Sequence, residues 1–463
     1  MMSAISNGPR KHPILYGGAL FLAVIMGAVL AYVQVFLGDA GPYIVLGAIV
    51  AAVVFGAILL DWRRGALLLA AMLPFQSFVN EIGSPTVSKV LAVATFFSLG
   101  LTLLREPRLF DRFVKLWRQP LTLGVFAFVL WAFVSMAWAQ YPGASLAMTS
   151  TFLGVFGLMV VVGMLDSRYL THLWVFLALS ALVSVPAAYV LPQSGDMAEV
   201  GRFGTGGADP NSYACLLVIT LFVAYFGLPQ YRTAFYILAP ILLYGIFATE
   251  SRTGLIALVA TPILAMFVPR LAARLGGRAL LMYGVMFAAF AVIVVAIPSV
   301  AEDILERYTT LSGYQSETTW SGRWSIWQAA FQIIASHPFL GVGAGNFPYT
   351  AVNLSTVVAA NTAAKGEISG VVHNSFLSVA SELGLIGLAI FLTVLYLAFR
   401  TVLRVSRSSS LGIGIFLGLI VFSIASMSLT WEYEKVGYIL LGSILALQLQ
   451  TERSAPVGQE QPP

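Results

Sequence analysis

The chain has 463 residues, of which 59% are hydrophobic and only 10% charged, with a formal net charge of +5. A soluble domain carries about 25% charged residues, so this composition excludes a soluble globular protein and leaves an integral membrane protein. The single cysteine, Cys215, excludes an intrachain disulfide and a cysteine metal cage.

At roughly 20 apolar residues per crossing, fourteen candidate spans can be counted, centred near residues 25, 51, 72, 95, 130, 157, 182, 220, 242, 262, 288, 386, 420 and 443. The third and the last are short enough to be tilted or re-entrant. The fold expected is all-α: a polytopic helical membrane protein of about 12–14 transmembrane helices with one large outer loop. The first apolar run, 14–36, is too long for a signal-peptide core and has no small-residue cleavage site behind it, so it counts as a retained span. An even count puts both termini on one side.

Charge then sets the orientation. If Arg10 and Lys11 are cytoplasmic, 18 of the 25 Lys and Arg fall on inner loops, including the runs Arg105–Arg118, Arg270–Arg278 and Arg400–Arg407. Seven fall outside: Lys89, Arg202, Arg252, Arg307, Arg323, Lys365 and Lys435. Basic residues resist translocation, so this split predicts cytoplasmic termini. It also accounts for the positive charge without nucleic acid, and no nucleic-acid-binding pattern is present. The chain divides into an N-terminal bundle of about 11 spans (1–298), an outer cap loop (299–372), C-terminal helices (373–450) and a proline-bearing polar tail (451–463) that reads as disordered.

Three outer segments stand out. The first, 192–211, holds Arg202 and Asp209-Pro210-Asn211 in glycine-rich sequence. The second is the tight turn Glu250-Ser251-Arg252-Thr253-Gly254. The third is the cap. Within it Arg323–Ser336 reads as one helix, with Trp324, Trp327, Phe331 and Ile334 at three-and-four spacing, a stripe suited to lying in the membrane interface. His337-Pro338 ends that helix, and Gly341, Gly343 and Gly345 turn the chain sharply.

Charge at the end of a span is costly unless it faces a cavity or a partner. Guanidinium groups grip phosphate through a planar fork, so Arg202 and Arg252 are candidate anion ligands. The structural alternative is an arginine that snorkels to lipid headgroups or pairs with Asp209 or Glu250. Arg307 and Arg323 lie in polar sequence and are weaker candidates of the same kind. His373 begins a span, and a neutral imidazole can take a proton from a hydroxyl; a helix-start histidine bonded to backbone is its alternative. His337 reads as a helix-end cap. Glu382 lies nine residues after His373, half a turn out of phase, and reads as a buried structural carboxyl. There is no Asp-x-Asp pair, no P-loop lysine, no His-Glu-x-x-His and no Gly-x-Ser-x-Gly elbow.

Four features together resemble one known group, the O-antigen ligase and polymerase superfamily of bacterial membrane glycosyltransferases. His373-Asn374, nine residues, then Gly384-Leu385-Ile386-Gly387 resembles the ligase motif His-Asn-x9-Gly-x-x-Gly. Gly322-Arg323-Trp324-Ser325-Ile326-Trp327 through His337-Pro338-Phe339-Leu340-Gly341-Val342-Gly343 resembles the family's outer loop. Ser251-Arg252-Thr253-Gly254 resembles its Ser-Arg-x-Gly turn, and Arg202 with Asp209-Pro210-Asn211 resembles its earlier loop. The likeness covers roughly residues 200–390. It implies an inverting transfer without metal or cofactor, in the bacterial inner membrane, at a site facing the periplasm. The donor it implies is a glycan on undecaprenyl diphosphate. The acceptor is lipid A-core in a ligase, and another lipid-linked repeat unit in a polymerase. Arg202 and Arg252 would hold the diphosphate and stabilise it as it leaves. His373 would activate the acceptor hydroxyl. Arg323 and Arg307 would bind donor or acceptor, with Asn374 and Asn211 as substrate-binding neighbours. A transporter is the rival of another class; the absence of a detectable repeat and of mid-span charges other than Glu382 speaks against it.

Overall fold

The computed structural model describes residues 41–76, 87–190, 203–204, 209–269, 271–275, 320–365, 368 and 370–454, with single positions between 277 and 292. Arg202, Arg307, the span near residue 25, most of the span near 288 and the chain beyond 454 lie outside them.

The described residues form an all-α protein. Its helices are α1 (Gly41–Leu60), α2 (Trp62–Ala71), α3 (Val87–Arg105), α4 (Pro107–Trp117), α5 (Pro120–Val134), α6 (Pro142–Gly163), α7 (Ser167–Val190), α8 (Pro210–Phe222), α9 (Arg232–Ala248) and α10 (Arg252–Met266). The cap follows as α11 (Trp320–Ser336), α12 (Phe347–Ala351) and α13 (Thr356–Lys365), and the chain closes with α14 (Ser375–Val405), α15 (Ser410–Ser426) and α16 (Lys435–Ser454). Proline opens α4, α5, α6 and α8, where its missing N–H costs nothing and its φ suits the first turn.

Among the described residues, six helices are long and apolar enough to cross a membrane: α3, α5 with its last turn to Ala137, α6, α7, α8 with its extension to Gly227, and α14. A bent stretch from Pro229 to Ala248 makes a seventh if it is one span. Arg252–Met266 and Ser410–Ser426 are apolar but shorter. Hydropathy alone counted more. The candidate near 72 is the short α2, stopped by a 3₁₀ turn at Leu73–Phe75 around Pro74. The expected inner loop at 105–118 is instead the helix α4, which buries Leu109 and Leu116. Arg112 on α4 donates to the Leu165 carbonyl at 2.6 Å, just past the end of α6. At the other terminus α16 runs on to Ser454, so the first residues of the expected tail are helical.

One apolar core joins the bundle. Within it α16 packs on α6, α5 on α14, and α8 and α10 on α15. The cap has a smaller core of its own, in which Ile326, Ala330 and Ile333 of α11 meet Val342, Phe347, Ala351, Val358 and Val372. The predicted aromatic stripe is therefore split. Trp327 packs against this core, whereas Trp324 and Phe331 are exposed. Ala329, Ala330 and Ile333 are fully buried on the inner side.

The cap is fastened to the bundle at a break in α14. Gly384 has φ 69°, outside the helical region. The break frees backbone groups that a bilayer cannot satisfy, and the glycine turn takes them up. Leu385 N–H donates to the Pro338 carbonyl at 2.8 Å, and Val342 and Gly343 N–H donate to the Ser381 and Glu382 carbonyls at 3.1 and 2.8 Å. The Glu382 carboxylate accepts the Gly345 and Phe347 N–H groups at 2.7 and 3.2 Å. Glu382 is thus a buried structural carboxyl, as its phase predicted. A Cβ on Gly341 would run into the Glu382 carbonyl, and one on Gly384 into that of Phe339. Both positions also have positive φ, so both require glycine.

The bundle has two distinct ends. α8, α10, α14 and α16 start, and α15 finishes, at the end where His373 sits. At the opposite end Gln448 of α16 donates to Gln119, and Arg274 donates to the Ser406 and Arg407 carbonyls.

Candidate functional site

Three helix N-termini meet at the His373 end. Each is built by a local cap. Before α8, one Asp209 oxygen accepts the Asn211 N–H and side-chain amide (3.2 and 3.0 Å), and the other accepts the Ser212 N–H and hydroxyl (3.3 and 3.0 Å). Before α10, Ser251 Oγ accepts the Gly254 N–H at 3.1 Å. Before α14, Asn374 Oδ1 accepts the Phe376 and Leu377 N–H groups, each at 3.0 Å. The caps are also tied to one another, because the Ser251 hydroxyl donates to Asn211 Oδ1 at 2.9 Å. Gly254 permits this approach: a Cβ there would lie 2.6 Å from that of Ala214 on α8.

The hub is the loop between α15 and α16. His373 N–H donates to Thr430 Oγ1 at 3.0 Å. Trp431 N–H donates to Ser375 Oγ at 2.7 Å, and its indole N–H donates to Ser212 Oγ at 3.0 Å. Ser428 and Thr253 share a hydrogen bond of 2.8 Å, and Asn374 Nδ2 donates to the Met427 carbonyl at 3.0 Å. Residues 427–431 therefore hold α8, α10 and α14 in one arrangement. Sequence reasoning passed over them because an isolated Ser, Thr or Trp in a short loop carries no spacing signal. The cap reaches the same place, where Trp327 Nε1 donates to the Val372 carbonyl at 3.0 Å.

His373 is one of two non-glycine residues among those described with positive φ, at 54°. That conformation costs of order 1 kcal/mol or more and persists where the surroundings over-determine it. Here the Thr430 bond, the Trp327 bond and the Asn374 cap grip the residue from three sides.

The charges are coupled. Burial lowers the His373 pKa below its ordinary 6.5, the Arg323 charge lowers it further, and Asp209 opposes both. Burial also lowers the Arg323 pKa; Asp209 opposes this and Arg252 adds to it. So Arg323 feels the charges of Arg252 and Asp209, and His373 those of Arg323 and Asp209, which links four separate stretches of chain. Two like-charged guanidinium groups repel here, and three helix N-termini, each carrying roughly half a positive charge, add to the positive potential. Such a place favours an anion, beside an imidazole biased toward its neutral, proton-accepting form.

Of the residues singled out from sequence, Arg252, Arg323 and His373 come together. Arg252 is exposed at the first position of α10, and Arg323 is half-buried on α11. Asn211 and Asn374 lie among them, with their amides engaged by Asp209, Ser251 and the α14 N-terminus. Arg202 and Arg307 lie outside the described residues. His337 is exposed at the end of α11, with Nδ1 3.0 Å from the Ser336 hydroxyl, as a helix-end residue would be.

Residues 237–392 match the family model described as O-antigen ligase. The match runs from within α9 into α14 and includes Arg252, Arg323, His373 and the two glycine turns. No curated protein matches the chain.

Proposed function

We propose that this multi-pass membrane protein is an inverting glycosyltransferase that moves a glycan from undecaprenyl diphosphate to lipid A-core, a reading that the match of residues 237–392 to the O-antigen ligase family model supports. It works without a metal, on the periplasmic face of the bacterial inner membrane, with both termini cytoplasmic. Arg252 and Arg323 bind the diphosphate and stabilise it as it leaves. His373 takes the proton from the acceptor hydroxyl as that oxygen attacks the anomeric carbon. Arg202 joins the diphosphate ligands and Arg307 the substrate contacts, on the family resemblance alone. Asn211 and Asn374 border the substrate and serve it by fixing the loops that carry these groups.

The structural observation that carries the site assignment is the cluster of Arg252, Arg323, His373 and Asp209 at three joined helix N-termini. The segregation of basic residues supports the orientation: Arg112, Arg274 and Arg407 sit at the end opposite His373.

The test is transfer by purified protein in proteoliposomes, with and without lipid A-core. Ligation predicts product only when lipid A-core is present. A ladder formed from lipid-linked repeat units alone would make the protein a polymerase. His373→Ala should insert and fold normally but transfer nothing; normal transfer by that variant removes the assigned base.

A further inference from the structure

Beside the Arg–His cluster lies a cavity of about 130 Å³ that the transfer chemistry does not use. Its walls include Gln76 from the turn after α2, Asp209, Ser212 and Tyr213 at the start of α8, and Trp431 and Glu434 from the loop before α16. It adjoins the reaction centre. Asp209 lines the cavity, and its charge acts on both His373 and Arg323. Trp431 lines it too, and the residue next to it, Thr430, holds His373.

The chemistry of the walls selects the occupant. Asp209 is already committed to four donors of the α8 cap. Ser212 accepts from the Trp431 indole, and Tyr213 shares its hydroxyl with Ser184 at 2.6 Å. That leaves the Gln76 amide and the Glu434 carboxylate as the groups that can turn to a ligand, beside an indole wall. Burial raises the Glu434 pKa, Lys435 opposes this and Asp209 adds to it, which tilts Glu434 toward its neutral, hydrogen-bonding form and away from holding an ion. Among the described residues no three His, Cys, Asp or Glu side chains are grouped as a metal would need. A neutral molecule rich in hydroxyls fits this mixture of amide, carboxylate and aromatic surface. At the roughly 10–15 Å³ of cavity space that one water needs, this volume takes on the order of ten waters, the scale of one sugar ring and too small for an oligosaccharide.

We propose that this cavity is a monosaccharide subsite, in which Gln76 and Glu434 hydrogen-bond the hydroxyls of one neutral pyranose ring of a substrate glycan against Trp431. The assignment deepens the glycosyl-transfer function and rests on it. It makes Gln76 and Glu434 determinants of which sugar is accepted, on donor or acceptor.

The test uses the full chain in lipid nanodiscs. Saturation-transfer NMR is run with free glucose, galactose, N-acetylglucosamine, N-acetylgalactosamine and rhamnose, on wild type, Gln76→Ala, Glu434→Gln and His373→Ala. At least one sugar should bind wild type and His373→Ala, and bind Gln76→Ala or Glu434→Gln at least tenfold more weakly. In transfer assays Gln76→Ala should raise KM about tenfold for the donor or for the acceptor, which identifies whose ring is held, with kcat within twofold. Gln76 is half-buried at the end of its turn and uncharged, so this variant remains informative if Glu434→Gln misfolds. Absence of binding by every sugar, or binding and KM unchanged in both cavity variants, overturns the subsite and leaves glycosyl transfer standing. Sugar binding that depends on Gln76, in a protein that transfers no glycan, sinks the transfer function and keeps the subsite.

Discussion

Thr430→Val isolates the grip on the candidate base. The substitution keeps the side chain's shape and removes the oxygen that accepts His373 N–H at 3.0 Å. A hydrogen bond of this kind contributes about 0.5–1.5 kcal/mol net. It works against the strain of holding His373 at φ 54°. At 1.4 kcal/mol per decade, its loss should reduce the population with a correctly aimed imidazole by roughly two- to tenfold. kcat should fall by that factor. KM for the lipid-linked donor should stay, because Arg252 and Arg323 keep their supports. Thr430→Ser, which restores the oxygen, should recover kcat to within twofold. The assay is single-turnover transfer in proteoliposomes, on variants matched for folded protein. A folded Thr430→Val with wild-type kcat, or a Thr430→Ser that fails to recover it, would refute the positioning argument.

Three other outcomes can be checked. The lowered His373 pKa keeps the imidazole neutral to more acidic pH, so the acid limb of kcat/KM should lie below 6.5. Arg323→Gln removes one cause of that lowering, so the limb should move to higher pH; an unmoved limb would separate the two residues. Arg252→Lys keeps the charge but loses the planar fork, and should raise donor KM roughly ten- to a hundredfold, given about 1.5–3 kcal/mol for a charge-assisted bond. Gly384→Ala should destabilise by at least about 1–3 kcal/mol, read as a lower unfolding temperature in detergent, because φ 69° and the Phe339 carbonyl both exclude a Cβ; a full-length protein with unchanged unfolding would contradict the break at that residue.

The class of fold was legible because composition decides it, and the long spans because 20 apolar residues have few other uses. What hydropathy could not distinguish was a crossing from a short packed helix. α2 has apolar content enough for a candidate span, but Pro74 and the turn at Leu73–Phe75 stop it. α4 hid inside a basic run, since its arginines and lysine marked a loop while Leu109, Arg112 and Leu116 at three-and-four spacing marked a buried face. At the candidate site, Arg252 stood out in the sequence because charge at a span's edge needs a reason, and Arg323 stood out less, as an arginine in polar sequence. Thr430, Trp431 and Ser428 did not stand out. Their importance comes only from which helices they touch, and that is a property of the packed chain.

The spacing in His-Asn-x9-Gly-x-x-Gly then has a mechanical meaning. Of its four fixed residues, His373 feels the charges of Arg323 and Asp209. Asn374 caps α14, Gly384 breaks it, and Gly387 admits Trp131, whose indole N–H donates to the Leu383 carbonyl at 2.9 Å. From cap to break is about 15 Å of helix, and from Leu385 to Val405 a further 30 Å, enough for a bilayer core. The nine intervening residues thus act as a strut. One end is bound to the loop that orients the base, through Ser375, Leu429 and Trp431. The other end is bound to the glycine turn that anchors the cap. Because the cap also carries Arg323 and sends Trp327 back to Val372, next to His373, base and cation are positioned by one closed mechanical circuit. A change in the strut's length would displace both together relative to Arg252, which stands on a different helix.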